Sequence, residues 1–414
     1  ERLHQERNRD LEEVLHRTRT VHGGRLIEIF RDGFEQAHAE DHHVGVTEPG
    51  VDDEDHHLGQ EGGGVPVRLD AESIELLERP RYRVAGQFAV LSAAPFHLTG
   101  AIAESAARTA THYLDLTEDV ATTRHVEELA RGSRSAFIPQ CGLAPGFISI
   151  VAHDLTKHFD TLDTVRMRVG ALPQYPSNAL NYNLTWSTDG LINEYIEPCE
   201  AIVEGKLSVV PAMEEREEFS LDGVTYEAFN TSGGLGTLAK TLEGRVRTMN
   251  YRTIRYPGHQ AIIKALLNDF NLKNRRDVLK DLFENALPAT MQDVVVIFVT
   301  VCGWKDGRYL QETYANKVYA GVVAGKKMSA IQITTAAGIC AVVDLVMQTP
   351  GRYHGFVRQE DFSLVDVLAN RFGGVIFHEA CGHLLETTQV ERGTTPFAER
   401  IGESIAHPAV TAID

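Results

Sequence analysis

The chain has 414 residues, 43% of them hydrophobic and 24% charged, which is enough apolar material for two or more cored domains. Its formal net charge of -18 and pI near 5.5 exclude broad contact with nucleic acid or an anionic membrane, because phosphate must be met by clustered Lys and Arg. The five cysteines, Cys141, Cys199, Cys302, Cys340 and Cys381, include no C-x-x-C, so no disulfide framework is expected and a reducing cytoplasm fits best.

The first residues are charged and carry no apolar secretory segment. Residues 1–66 hold eight of the eighteen histidines beside the acidic cluster Asp52, Asp53, Glu54, Asp55. Aliphatic periodicity is poor after the first helix-like turns, so the stretch reads as a solvated or disordered segment. His42, His43, His56 and His57 have no fixed ligand spacing, and a metal site is not favoured. No G-x-G-x-x-G precedes Ala136, and Gly62, Gly63 and Gly64 run into Val65-Pro66 without opening a helix. The phosphate cradle of a first β-α-β unit is therefore missing from the sequence. The stretch looks like a foreign reading frame joined upstream.

From Val67 the pattern is that of a folded α/β chain. Phe88 to Ser92 reads as a strand, Pro95 to Ala110 as a helix and His112 to Leu116 as a strand. A helix holding Glu127 to Arg131 leads to Ala136–Pro139, a Gly and Pro-rich turn to Gly146, and a helix over Phe147 to Leu155. This alternation predicts a parallel sheet. In such sheets ligands sit at the carboxyl ends of strands, so the junction Ala136–Gly146 marks the expected site.

Beyond Ile150 the pattern changes to a second domain. Thr164 to Gly170 alternates as a strand, Leu172-Pro173 reads as a turn, and Asn183 to Ser187, Val209, Val210 and Tyr226 to Phe229 suggest an antiparallel or mixed sheet. Helices are expected at His259 to Phe270 and Asp277 to Leu287, then a hairpin across Lys305-Asp306-Gly307. Gly234 to Ala239 matches G-x-G-x-x-A, but Tyr251 to Tyr256 ends without the acidic residue a dinucleotide fold needs, so a glycine-rich loop is the better reading. The apolar run Met328 to Met347 carries Gln332, Thr334, Thr335 and Asp344, which favours a buried or interface helix over a membrane span.

Leu91 to His97, His112 to Glu118, Gly142 to Gly146, Trp186 to Gly190, Arg255 to Gly258 and Gly355 to Asp361 follow one another at the spacing of a known group. Together they resemble the saccharopine dehydrogenase family over about residues 67–373. The resemblance implies a partial Rossmann-like parallel sheet at 67–149, a substrate and dimerisation domain of α+β type with a mixed sheet at 150–350, and a closing segment at 351–373. It also implies an NAD(P)-dependent oxidoreductase acting on the C–N bond of a small amino-acid-derived substrate, as a homodimer through the second domain. By the same resemblance Ser92, Ala93, Ala94, Pro95, Asp115, Leu116, Thr117 and Gly142 approach the cofactor. Cys141 and Arg255 are the catalytic candidates, and Asn230, Thr231, Ser232 and Gly233 join Arg255 on the substrate, where Arg255 can pair with a carboxylate bidentately. The chain departs from the lysine-pathway enzymes at Ala144 and at Thr231 to Gly233, which puts saccharopine itself in doubt as substrate.

Residues 374–414 follow another pattern. Val375 to His383 contains His378-Glu379 and His383 as H-E-x-x-x-H and resembles the metal-binding helix of the TldD/PmbA zinc peptidases. There His378 and His383 would be metal ligands and Glu379 the general base. On an ideal helix five residues turn about 500°, leaving the two histidines about 140° apart, so a bulge at Gly382 would be required. With the third ligand supplied further downstream in that family, this fragment is not expected to hold zinc. The two patterns meet at Gly373 without a linker, as in a chimera.

Overall fold

The structure, a computed structural model, describes residues 26–30, 84, 86–94, 96–323, 326–349, 351–374 and 384–389, of which 26–30 and 384–389 are described in backbone only. The histidines and acids at 42–57 and the glycines at 62–64 lie outside the described residues.

β1 (Leu26–Phe30), β2 (Ala89–Ala93), α1 (Phe96–Thr109), β3 (His112–Asp115), α2 (Val120–Leu129), β4 (Ala136–Ile138) and α3 (Phe147–Thr156) follow one another. The four strands pair in parallel, with Leu26 opposite Ala89, Ala89 opposite His112 and Tyr113 opposite Phe137. Such strands are covered on both faces, which is why Ala89–Leu91 and Ala136–Ile138 are continuously buried rather than alternating. β1 belongs to the stretch 1–66 that reads as solvated. Its five residues, LIEIF, are too short a run to register as periodicity, yet they pair along the whole of β2.

The second layer contains β5 (Thr161–Pro173), α4 (Thr188–Ile196), β6 (Cys199–Val203), β7 (Lys206–Val210), β8 (Glu217–Leu221), β9 (Val224–Asn230), α5 (Leu238–Leu242) and β10 (Thr248–Arg255). It continues with α6 (His259–Lys264), α7 (Arg276–Ala286), β11 (Asp293–Lys305), β12 (Arg308–Tyr319), the small pair β13 (Gly321–Val323) and β14 (Lys326–Met328), and α8 (Ala330–Gln348). β15 (Gly355–Phe356), α9 (Leu364–Ala369) and β16 (Leu384–Gln389) close the described chain. The large sheet runs β16-β12-β11-β5-β10-β6-β7, with β9 joining β10 to β8. It is mixed, since β10 lies parallel to β5 while β11 and β9 are antiparallel to their neighbours. β15 returns to the first sheet and pairs in parallel with β4. β16, from the segment with the peptidase pattern, pairs antiparallel with β12.

Three local readings are confirmed by their physics and two are corrected. Lys305 pairs with Arg308 across Asp306 and Gly307 at φ 51° and 72°, the left-handed two-residue turn that suits a twisted hairpin. The helix from His259 leaves α geometry for a π turn at Ala265–Asp269. α8 starts at a Ser329 and Gln332 capping box, and the Asp293 carboxylate accepts from the Ala330 and Ile331 N–H groups at 2.5 and 3.0 Å. Leu172-Pro173 is not a turn: β5 runs through both, and Pro173 is the last strand residue, where a missing N–H disrupts no interior ladder. Asn183 to Ser187 is not a strand either. Only Leu184 bridges, to Ala289, while the Ser187 hydroxyl caps α4 at the Gly190 N–H.

One buried cluster joins the two layers, from Leu114 and Ile138 through Phe147, Ile148 and Val151 of α3 to Val165, Met167, Ile297 and Val299 of the large sheet. Each such side chain contributes about 1.5–3 kcal/mol by leaving water. α8 is the one described helix apolar and long enough to cross a membrane, and most of its apolar window is buried within the protein.

Candidate active site

The parallel pairing sets Ser92, Asp115 and the residues after Ile138 along one edge of the first sheet. Asp115 organises that edge. Its Oδ1 accepts from the Thr117 and Gln140 N–H groups, both at 2.9 Å, and its Oδ2 accepts from the Tyr113 hydroxyl at 2.8 Å. The Asp115 carbonyl accepts from the Cys141 N–H at 2.7 Å. Burial pushes the carboxyl up to about 6, with the Gln140, Thr117 and Tyr113 donors pulling the other way. Asp115 thus ties β3 to the next turn and is fully buried, which leaves its carboxylate turned to protein groups.

That turn is closely wound. Gly142 bridges to Gly146, the Gly142 carbonyl accepts from Phe147 N–H at 3.0 Å, and the Ala144–Pro145 peptide is cis. A Cβ at Gly146 (φ 133°) would stand 2.1 Å from the Gly142 oxygen, so no other residue fits. α8 seals the far side, where a Cβ at Gly338 would meet the Cys141 and Gly142 oxygens at 2.7 Å. Cys141 is fully buried, its Sγ donating to the Ile138 carbonyl at 3.0 Å and receiving Gln359 Nε2 at 3.2 Å. Burial, then the Asp115 charge, raises the thiol well above its usual range. These surroundings hold it as a neutral packing group and disfavour the thiolate a nucleophile requires.

The segment after β15 is the clasp of the site. Gln359 Nε2 donates to the Pro139 carbonyl at 2.8 Å, and the Glu360 carboxylate accepts from Thr237 and Thr241 hydroxyls at 2.9 and 2.5 Å. His153 Nδ1 donates to the Glu360 carbonyl at 2.9 Å. Thr237 belongs to the G-x-G-x-x-A loop, which follows an antiparallel strand and binds protein groups. A Cβ at Gly233 would stand 2.6 Å from the Glu118 carbonyl, and one at Gly234 2.3 Å from the Tyr251 ring. The loop therefore lies directly on the end of β3.

Two acids meet there, and a buried cation lies within electrostatic reach of the second. Glu118, half-buried, sits against α4, its Oε1 3.1 Å from where a Gly190 Cβ would be. Glu194 is one helical turn beyond Gly190 on the same face and is 6% exposed. Burial pushes Glu118 up to about 7, with its own N–H opposing and the Asp119 and Asp115 charges assisting. Burial and the Glu118 charge push Glu194 up to about 8 against the pull of Arg255. Arg255, 3% exposed, has no carboxylate within 4.0 Å among the described residues. Its Nε donates to the Tyr195 hydroxyl at 3.0 Å, and its Nη1 donates to Thr253 Oγ1 and the Ile254 carbonyl at 2.7 and 2.8 Å. Both edges of the guanidinium that could form a parallel fork are engaged, leaving Nη2. The bidentate pairing expected from the sequence is taken by the protein itself.

The substrate loop divides. Ser232 N–H donates to the Glu194 carbonyl at 3.0 Å and its hydroxyl to the Pro198 carbonyl at 3.1 Å, whereas the buried Thr231 hydroxyl has no partner among the described residues. Thr231 and Gly233 line a narrow groove with Val120, Glu200, Leu235 and Gly236. Asn230 pairs opposite Arg252 while Arg255 pairs opposite Glu227, so strand alternation sets Asn230 and Arg255 on opposite faces of the sheet. The sequence reading missed Glu194, Tyr195 and His259. A carboxylate spaced four residues from Gly190 on an otherwise apolar helix face is the signal that marks Glu194.

Ala93 and Ala94 are small and half-buried at the end of β2, beside Leu116 and Thr117 at the end of β3. Pro95 lies outside the described residues, as do His378, Glu379 and His383. In the sequence, residues 31–40 hold a single glycine, Gly33, where the G-x-G-x-x-G of a pyrophosphate turn needs three.

Residues 142–373 match the saccharopine dehydrogenase C-terminal domain, and residues 366–414 match the PmbA/TldA metallopeptidase C-terminal domain. Among solved structures, apo saccharopine dehydrogenase (L-Glu forming) from Saccharomyces cerevisiae matches at TM-score 0.60 and 17% identity, covering 79% of this chain and 90% of that one. The homospermidine synthase of Legionella pneumophila, solved with NAD, matches at TM-score 0.49 and 11% identity over 73% of this chain and 75% of that one.

Proposed function

We propose, for a chain that belongs to the saccharopine dehydrogenase family, an NAD(P)-dependent oxidoreductase that acts on the C–N bond of an amino-acid-derived substrate. The observation that carries this reading is Arg255, a buried cation with no carboxylate within 4.0 Å among the described residues, held within electrostatic reach of Glu194. Arg255 Nη2 binds a substrate carboxylate oxygen, and the Thr231 hydroxyl supplies a second polar contact. A nicotinamide cofactor held beside Ala93 and Ala94 would supply the hydride acceptor for the carbon that carries nitrogen. Glu118 and Glu194, shifted to about 7 and 8, then hold or release the proton that the nitrogen loses, since both titrate near neutral pH. Small side chains at Ala93 and Ala94 leave room for the cofactor. The missing glycine turn weakens its hold on the pyrophosphate. The second domain is the surface for a homodimer.

Titration of the full chain with NADPH and NADH, followed by nicotinamide fluorescence, tests the reading. A shallow rise without saturation below the millimolar range is expected. Unchanged fluorescence at millimolar cofactor would remove the dehydrogenase assignment.

A further inference from the structure

Arg255 stands at the end of β10, and Tyr256-Pro257-Gly258 turns the chain so that His259 opens α6 beside it, with Gly258 at φ 98°. His259 Nδ1 lies 3.1 Å from the Leu180 carbonyl. That oxygen can only accept, so Nδ1 carries the hydrogen. Burial, with the Arg255 charge assisting, lowers the imidazole to about 3, which leaves it neutral with a bare Nε2. Nε2 is 2.9 Å from the Tyr195 hydroxyl and accepts its proton, so the Tyr195 oxygen is free to accept from Arg255 Nε at 3.0 Å. The result is a chain with one direction: Arg255 Nε–H to Tyr195 O–H to His259 Nε2, anchored by His259 Nδ1–H on Leu180. Arg255, Tyr195 and His259 are each at most 3% exposed.

The guanidinium is fixed on its remaining sides as well. Thr253 and Ile254 hold Nη1, and the Tyr182 ring lies 4.9 Å from the guanidinium carbon while standing edge-on to His259 at 5.3 Å. Four separate chain segments, 180–182, 195, 253–255 and 259, thus aim one cation.

We propose that Tyr195 and His259 are positioning residues, which fix the tautomer and hydrogen-bond order that keep Arg255 Nη2 turned to a single oxygen of the substrate carboxylate. The inference rests on the reading of Arg255 given above. Neither residue touches the reacting atoms; each acts through the guanidinium. A site with one open nitrogen prefers a carboxylate to a carboxamide by charge, but only while that nitrogen is held in place.

The test measures carboxylate preference by calorimetry on the full chain, with L-lysine, L-glutamate and L-norvaline each set against its α-carboxamide. The parent should favour at least one acid over its amide, and Arg255→Ala should abolish the preference. Tyr195→Phe and His259→Leu should each reduce it about tenfold, while His259→Gln, which keeps an acceptor for Tyr195, should stay within about threefold of the parent. Should His259→Leu fail to fold, Tyr195→Phe decides with a second readout, the Arg255 Nε–H resonance. That proton should exchange slowly in the parent and at least about tenfold faster in Tyr195→Phe. Acids and amides that bind the parent alike, or not at all, overturn the Arg255 reading and this inference with it. A preference abolished by Arg255→Ala but unmoved by Tyr195→Phe, with the exchange rate also unmoved, overturns the positioning role alone.

Discussion

Glu194→Gln should stabilise the protein at alkaline pH and leave it nearly unchanged in acid. Glu194 is 6% exposed, and the charge of Glu118 adds to its burial in lifting the carboxyl from 4.5 to about 8. An acid whose folded pKa is raised binds its proton more tightly when folded. Its contribution is therefore fully present below pH 4.5 and is lost as pH rises through about 8. At about 1.4 kcal/mol per pKa unit the isolated group would account for roughly 5 kcal/mol over that window, and relief through Glu118 and local solvent reduces the expectation to about 3 kcal/mol. Glutamine is neutral throughout and has no such slope. Urea unfolding between pH 5 and 9, followed by tryptophan fluorescence, measures it directly, because Trp186 packs on Gly190 beside the two acids. The gap between parent and variant should widen steadily from pH 5 to about 8 and level off above it. Parallel profiles across the whole range would show that Glu194 ionises without cost in the fold.

Three further outcomes follow from the same packing. Asp115→Ala strands the Tyr113 hydroxyl and the Thr117 and Gln140 N–H groups, and should cost about 3–5 kcal/mol by denaturant midpoint; a loss under 1 kcal/mol would mean that the turn repacks. Gly234→Ala drives a methyl into the buried Tyr251 ring and should cost about 1–3 kcal/mol, a penalty that would not be seen if the loop could lift from β10. Cys141 should react with a disulfide reagent only at the rate of global unfolding, as its burial and raised pKa require, and fast labelling in native buffer would contradict both.

The alternation of the first layer and the Asp306-Gly307 hairpin were legible in the sequence because each is set by local pattern and turn chemistry. Pro173 misled because proline signals a turn in isolation but is tolerated at a strand end, a fact fixed by its partner Asp293 more than a hundred residues away. Asp115 was legible as a residue of the strand edge, although not as one whose carboxylate is turned to protein groups. Arg255 was legible as a cation for a substrate carboxylate. Its relay through Tyr195 and His259 was not, since the three come together only when α4 folds against β10. Asn230 and Arg255 carry compatible chemistry, yet the parity of two paired strands separates them.

β15 supplies two residues, Gly355 and Phe356, to a sheet whose other members end at Ile138. On the ribosome, β4 is complete while roughly 200 residues are still to be made, an interval of about 10–40 s at ordinary elongation rates. For that time one flank of the nascent sheet is an open row of peptide groups, able to recruit any passing strand. The short length of β4 limits that hazard, and so does the burial of Phe137 against its own layer. A chain released before Gly355 would keep the flank open permanently, and chaperone dependence of such a product is the cellular trace that a late-arriving strand leaves behind.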